Sequence, residues 1–322
     1  MEITNNTADG TIGWTTAANV SVTNNTLLGG GINGGSYFES YGIEKSTDNT
    51  ITNNTINNTA TGIFLTNDET EVYNNKIIDC TVGIMMNKLV NAKIYDNNIT
   101  NTIDDNSWGI NGMFYVDDVT IYNNTINLSS GKAMLLNSIN TEVGEEEYKV
   151  YVSDNNFNTT INTAVTNSEN VEFTGNNFIN AGIGFGGSSN MLFKSNSIDS
   201  KTGSALSINR ATGSAQNIKV IDNVIANTSG SRLAGYGVRI NKVGTDFIKE
   251  DSNIEISGNT ISSLGQNYGL HCTNFDVITI KDNTITNEED YISLYFRGNS
   301  SVLTNNSVSN TIDIEGVGNT VD

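Results

Sequence analysis

Apolar and polar residues alternate along this chain in short runs, and the runs recur. One phrase reads apolar-x-apolar-x, then a doublet, then x-apolar; the doublet's first member is Asn, Asp, Gly or Ser and its second is Asn. Instances are Val20-Ser21-Val22-Thr23-Asn24-Asn25-Thr26-Leu27, Val150-Tyr151-Val152-Ser153-Asp154-Asn155-Asn156-Phe157 and Ile278-Thr279-Ile280-Lys281-Asp282-Asn283. The second Asn falls at 6, 25, 54, 75, 97, 124, 155, 176, 196, 223, 259, 283, 306 and 319, a mean step of about 24 residues. Between these marks stands a second phrase, Gly-apolar-x-apolar, as in Gly62-Ile63-Phe64-Leu65, Gly83-Ile84-Met85-Met86, Gly237-Val238-Arg239-Ile240 and Gly269-Leu270-His271-Cys272. Period-two apolar runs separated by Gly and Asn predict short strands joined by tight corners.

A short strand with one apolar face cannot hide that face alone. Coiling the chain lets three such strands enclose a narrow core, and each coil then pairs in parallel with the next. Variable steps fit this scheme, because extra residues loop out at a corner without breaking the stack. Asn tolerates the left-handed backbone that tight corners need, and stacked Asn side chains can bond from coil to coil. The pattern therefore predicts an all-β chain: a single-stranded right-handed parallel β-helix (a solenoid) of about 13–14 coils of about 24 residues. It runs over 1–322 as one domain, a fragment or mature part of a larger protein. Leucine-rich repeats also carry an Asn ladder, but they need Leu at most framework positions. A β-sandwich would not repeat one phrase this often.

Composition sharpens this picture. The chain has 53 Asn, 31 Gly and no Pro, and 36% hydrophobic residues. That is lean for a globule but sufficient for a solenoid, in which each coil buries only a narrow strip. Proline would remove a ladder donor, so its absence suits continuous sheets. The net charge of −19 counts against nucleic acid, whose phosphates demand clustered Lys and Arg. Cys80 and Cys272 fall about seven coils apart in this register, roughly 34 Å at the strand spacing. A disulfide cannot reach that far, so separate buried thiols are expected. No run is apolar enough for direct membrane insertion, and Met1-Glu2-Ile3-Thr4 does not open like a signal peptide.

The paired phrases resemble the right-handed parallel β-helix repeats of the pectate-lyase-like superfamily, over nearly the whole chain. The Asn-Asn-Thr-Ile richness resembles adhesin-like surface proteins of methanogenic archaea; viral tail spikes share the architecture. These resemblances imply an extracellular, cell-surface protein concerned with carbohydrate, either as adhesin or as enzyme, and fold alone does not choose between them. Polygalacturonase-like hydrolases carry paired Asp, a Gly-His-Gly and an Arg-x-Lys. Here the one histidine, His271, sits in Gly-Leu-His-Cys, and Arg239-Ile240-Asn241-Lys242 departs from the basic motif. Asp104-Asp105 and Asp117-Asp118 lie five or more coils from Arg239, over ~20 Å at the strand spacing. Glycosidase carboxyls must lie within roughly 10 Å of each other.

A lyase would need basic residues beside a calcium cluster. Arg210, Arg239, Lys242, Asp246, Glu250 and Asp251 are the nearest set; a solvated loop of mixed charge is the favoured reading of them. Glu145-Glu146-Glu147 and Glu288-Glu289-Asp290 could attract Ca²⁺, a cation that prefers oxygen ligands, though runs of like charge are usually just solvated. No other cofactor is implied, and no catalytic or metal-binding residue is assigned. His271, between Leu270 and Cys272, should point outward as an ordinary exposed imidazole.

The aromatic register says more. Tyr41, Trp108, Tyr236 and Tyr268 stand just before the Gly-apolar strand, and Tyr291, before Ile292, is placed as the next rung. Tyr236, Tyr268 and Tyr291 would form a ladder with rungs ~5 Å apart, able to face sugar rings, with Arg239 alongside. The plainer alternative is a stack that only stabilises a corner. Tyr37, Phe38 and Tyr41 form a second candidate in a Gly-rich insertion. Sequons at Asn5, Asn24, Asn53, Asn57, Asn98, Asn123, Asn158, Asn299 and Asn305 suit a glycosylated surface protein. The chain is accordingly expected to be a non-enzymatic adhesin-like module that binds glycans or a cell-surface glycoprotein. The alternatives are a polysaccharide lyase or tail-spike depolymerase acting on acidic polysaccharide, and a structural sheath or filament subunit that self-associates end to end or side by side.

Overall fold

The computed structural model describes residues 1–35, 47–66, 68–101, 107–139, 150–210, 215–229, 235–242, 252–264, 267–288 and 291–322. Every regular element among them is a strand, and the strands of one coil pair in parallel with those of the next. Contacts divide the chain into two units, Met1–Thr159 and Thr160–Asp322. Each is built from the same three-strand coil, in which first, second and third strands join three separate parallel sheets. The fold is the single-stranded right-handed parallel β-helix expected from the repeat.

The core of each unit is a set of one-residue columns. In the first unit Val22, Ile51, Val72, Ile94, Ile121 and Val152 stack along the first sheet. Leu27, Ile56, Ile77, Ile99, Ile126 and Phe157 stack along the second. All are essentially fully buried. The core of the second unit also holds Phe173, Phe178, Phe185 and Phe193, whose rings pack with centroids about 6 Å apart. β-Branched and aromatic side chains suit these columns because each one lands on the pleat of the strand beneath.

The Asn doublet divides two jobs. Its first residue takes the left-handed conformation in every repeat: Asn5, Asn24, Asn53, Asn74, Asp96, Asn123 and Asp154 in the first unit, and Gly175, Ser195, Asp222, Gly258, Asp282 and Asn305 in the second. That is why Asn, Asp, Gly and Ser alternate there. The second residue is a ladder. Asn25 passes hydrogen bonds to Asn54, Asn54 to Asn75, Asn75 to Asn97, Asn97 to Asn124 and Asn124 to Asn155. Asn176, Asn196, Asn223, Asn259, Asn283 and Asn306 repeat this in the second unit.

One mark departs from the expected register. Asn319 is not on this ladder: its Oδ1 accepts from Ser301 N at 3.0 Å, at the residue that precedes a first-sheet strand. The step from 306 to 319 is short because Asn319 sits at a different corner of the coil. Cys80 and Cys272 are both buried thiols, and burial pushes each pKa up.

Candidate functional site

The second unit gathers polar and aromatic groups on the outward face of its third sheet. Strands Leu206–Arg210, Val238–Lys242, Leu270–Thr273, Ile292–Arg297 and Thr311–Glu315 run side by side. Their inward residues form the columns Leu206-Val238-Leu270-Leu294 and Ile208-Ile240-Cys272-Phe296. Strict alternation then forces the intervening column Ser207-Arg239-His271-Tyr295-Asp313 outward.

Two further rings arrive from the corner before the strand. Gly237 and Gly269 follow Tyr236 and Tyr268, and neither position has room for a side chain. A Cβ on Gly237 would stand 2.6 Å from the Gly269 carbonyl oxygen, and one on Gly269 2.8 Å from that of Ser293. Tyr236 and Tyr268 stack with centroids 5.9 Å apart and planes within 13°. His271 lies 5.3 Å from Tyr236 and 4.8 Å from Tyr268. It stacks on Tyr295 at 5.2 Å and 15°, and Tyr295 lies 5.3 Å from Tyr268. The Arg239 guanidinium covers Tyr236 at 5.0 Å from its centroid, a cation–π contact. The result is one half-buried patch of four rings with a single arginine, and Asp313 next in register.

His271 is therefore not the lone exposed imidazole expected from its neighbours. Burial among the rings, then the charge of Arg239, push its pKa down to about 4. Its Nδ1 and the Nε of Arg239 are buried without hydrogen-bond partners. Burial and the neighbouring phenols hold the Tyr268 hydroxyl above its ordinary range. Because His271 is the only histidine, its imidazole should give one resolved NMR signal with a midpoint near pH 4. Unfolded chain binds that proton near pH 6.5, so stability contributed by the neutral ring is complete above pH 6.5 and declines as pH falls toward 4. The loss should be roughly 1–2 kcal/mol once partial solvent access is allowed for. A midpoint at 6.5 would mean that the ring cluster does not form.

Tyr291 is not the third rung. Leu270 pairs with Leu294, so the place equivalent to Tyr268 belongs to Ile292 and Tyr291 lies one residue earlier. Tyr295, in register with His271, supplies the third phenol instead. Trp108 opens strand Trp108–Met113 of the first unit, half-buried and paired between Val82 and Lys132. Tyr41, Tyr37 and Phe38 lie outside the described residues, as do Asp104, Asp105, Glu145, Glu146, Glu147, Asp246, Glu250, Asp251, Glu289 and Asp290. Arg210 and Lys242 are backbone register partners. Among the described residues no three His, Cys, Asp or Glu side chains converge as a metal site.

The first unit holds a group that was not singled out from the repeat. Tyr73, Tyr95 and Tyr122 stack on the outward face of its first sheet with successive centroids 4.8 Å apart and planes within 6°. Each stands two residues before a ladder Asn, and that shared offset was the available signal. Glu71 accepts from the Tyr95 hydroxyl at 3.4 Å and pairs with Lys93 at 3.1 Å. Burial, then Glu71, push Tyr95 up to about 12.

A family model described as periplasmic copper-binding protein (NosD) matches residues 1–108, about a third of the chain. No curated protein matches. Among solved structures, a mutant tailspike protein of E. coli bacteriophage HK620 in complex with pentasaccharide is 12% identical, with a TM-score of 0.55 over 93% of this chain and 65% of that one. A second mutant tailspike of the same phage is 12% identical, with a TM-score of 0.59 over 94% of this chain and 59% of that one. The chain spans less than two thirds of the length of these tailspikes. At such identity the likeness is one of fold, and it sets this chain among the right-handed parallel β-helices.

Proposed function

We propose that this chain is a non-enzymatic, adhesin-like β-helix module of a protein displayed outside the cytoplasm, at the cell surface, and that it binds glycans. The observation that carries this reading is the patch of Tyr236, Tyr268, His271 and Tyr295 with Arg239. Aromatic bodies with polar tips suit pyranose rings, which offer apolar C–H faces rimmed by hydroxyls. Arg239, with no carboxylate partner among the described residues, is placed to meet an acidic or hydroxyl group. A tailspike of the same fold was solved with a pentasaccharide bound, which supports carbohydrate as partner. Five of the sequons, at Asn5, Asn24, Asn53, Asn123 and Asn305, occupy exposed corners, where a modifying enzyme has access.

The copper in the matching family's description finds little to bind here. Residues 1–108 contain no histidine, and their one cysteine, Cys80, is buried with its thiol held protonated. Met86 is buried in the core. That stretch thus offers no imidazole and no accessible thiolate, and its accessible soft sulfur is limited to the exposed Met1 and the half-buried Met85.

A glycan array with the whole chain tests the proposal. Tyr268→Ala with Tyr295→Ala is expected to weaken the best ligand at least roughly tenfold while the unfolding midpoint changes little. Unchanged binding would remove the patch from the account. Release of unsaturated sugars from an acidic polysaccharide would make the chain a lyase instead.

A further inference from the structure

The tyrosine column of the first unit has an end. Along the outward position that precedes each corner, the register runs Thr4, Thr23, Thr52, Tyr73, Tyr95, Tyr122, Ser153. The corresponding places in the second unit hold Thr174, Lys194, Ile221, Ser257, Lys281 and Thr304. A coil therefore folds with Thr, Ser, Lys or Ile at this position, and three consecutive rings are not needed to build it. Within the column, Tyr95 is covered on both faces, at 4.8 Å on each side. Tyr122, among the described residues, is covered on one. On its other side the neighbour is Ser153, which presents no ring, and the vacant place is one strand spacing deep, ~4.8 Å.

Polar groups stand on the coil of this rung and on the two coils before it. Lys93, Thr120 and Tyr151 form the adjacent outward row. Asp96 and Asp154 stand at the corners that follow Tyr95 and Ser153, and Asn123 donates to the Asp96 carboxylate. Lys93 is already paired with Glu71. The local balance is thus acidic, which disfavours an anionic sugar, and it supplies acceptors for hydroxyl protons.

We propose that Tyr122 and Ser153 form a second carbohydrate site, in which a neutral pyranose takes the fourth rung with its C–H face on Tyr122 and its hydroxyls toward Tyr151 and Asp154. This site is separate from the patch around Arg239 and differs from it in charge. The Tyr122 phenol, held above its ordinary range by burial and by Asp96, stays a neutral donor over the working pH range.

The test uses the full chain labelled with 3-fluorotyrosine and followed by ¹⁹F NMR. The probes are cellohexaose, chitohexaose and mannohexaose, with hexagalacturonate as the anionic comparison. At least one neutral probe should shift the Tyr122 signal more than hexagalacturonate does. Tyr122→Thr, which installs the residue that Thr23 and Thr52 already place in this column, should keep the fold and weaken that probe at least tenfold. Absence of a Tyr122 shift with all three neutral probes, or unchanged affinity in Tyr122→Thr, would overturn the proposal. Shifts at Tyr122 without any at Tyr268 and Tyr295 would uphold it and remove the other patch. The reverse pattern would remove this site and keep that one.

Discussion

Replacing Asn97 by alanine is expected to destabilise the first unit by about 3–5 kcal/mol. Asn97 is 1% exposed. Its Oδ1 accepts from both the backbone N and the Nδ2 of Asn75, each at 3.0 Å. Its own Nδ2 lies within hydrogen-bond distance of the Val72 and Tyr95 carbonyls, at 2.9 Å each, and of Asn124 Oδ1, at 3.0 Å. Alanine removes all of these at once and leaves the partners buried, where an unmet donor or acceptor costs its full desolvation. The neighbouring Asp96→Gly change should stay within about 0.5 kcal/mol, because glycine adopts the φ of 54° found there at no steric cost. Urea unfolding of both variants measures the contrast. Equal effects would mean that the two members of the doublet do not divide conformation and hydrogen bonding as described.

Gly83→Ala should cost about 2–4 kcal/mol although it adds a single methyl group. A Cβ at Gly83 would stand 2.5 Å from the Gly109 carbonyl oxygen and 2.6 Å from Ile99 Cγ2. Gly62 meets the Gly83 carbonyl oxygen in the same way, at 2.6 Å. These contacts are to backbone and to a packed core side chain, so relief requires successive coils to part. Among outward positions such as Thr120, by contrast, an alanine should change stability by no more than about 0.5 kcal/mol. A Gly83→Ala variant as stable as the parent would show that the coils separate easily, and that the glycine serves corner conformation rather than close approach.

The repeat made most of the fold legible, for a physical reason. Each coil must place an apolar residue over an apolar residue, a left-handed corner over a left-handed corner and an amide over an amide, so the requirement is written into the chain once per turn. Asn25, Asn54 and Asn75 announce the ladder by their spacing alone. Asn319 misled because spacing cannot distinguish two corners that both use a buried Asn. The site was only half legible. Tyr236, Tyr268 and Arg239 stood out beside their glycines, but Tyr295 did not, since its membership depends on how Leu294 pairs with Leu270.

From sequence alone came what every turn repeats: the all-β class, the parallel stacking, the inward Ile and Val columns, and the identity of the corner residues. Tertiary structure alone decided what differs between turns. It showed that Tyr291 yields to Tyr295, that His271 is enclosed by rings and loses basicity, and that Tyr73, Tyr95 and Tyr122 lie face to face. A repeat constrains each position along the chain, whereas contacts across coils depend on the length of every intervening loop. A one-residue change in register moves a side chain to another neighbour without altering the pattern that predicts its strand.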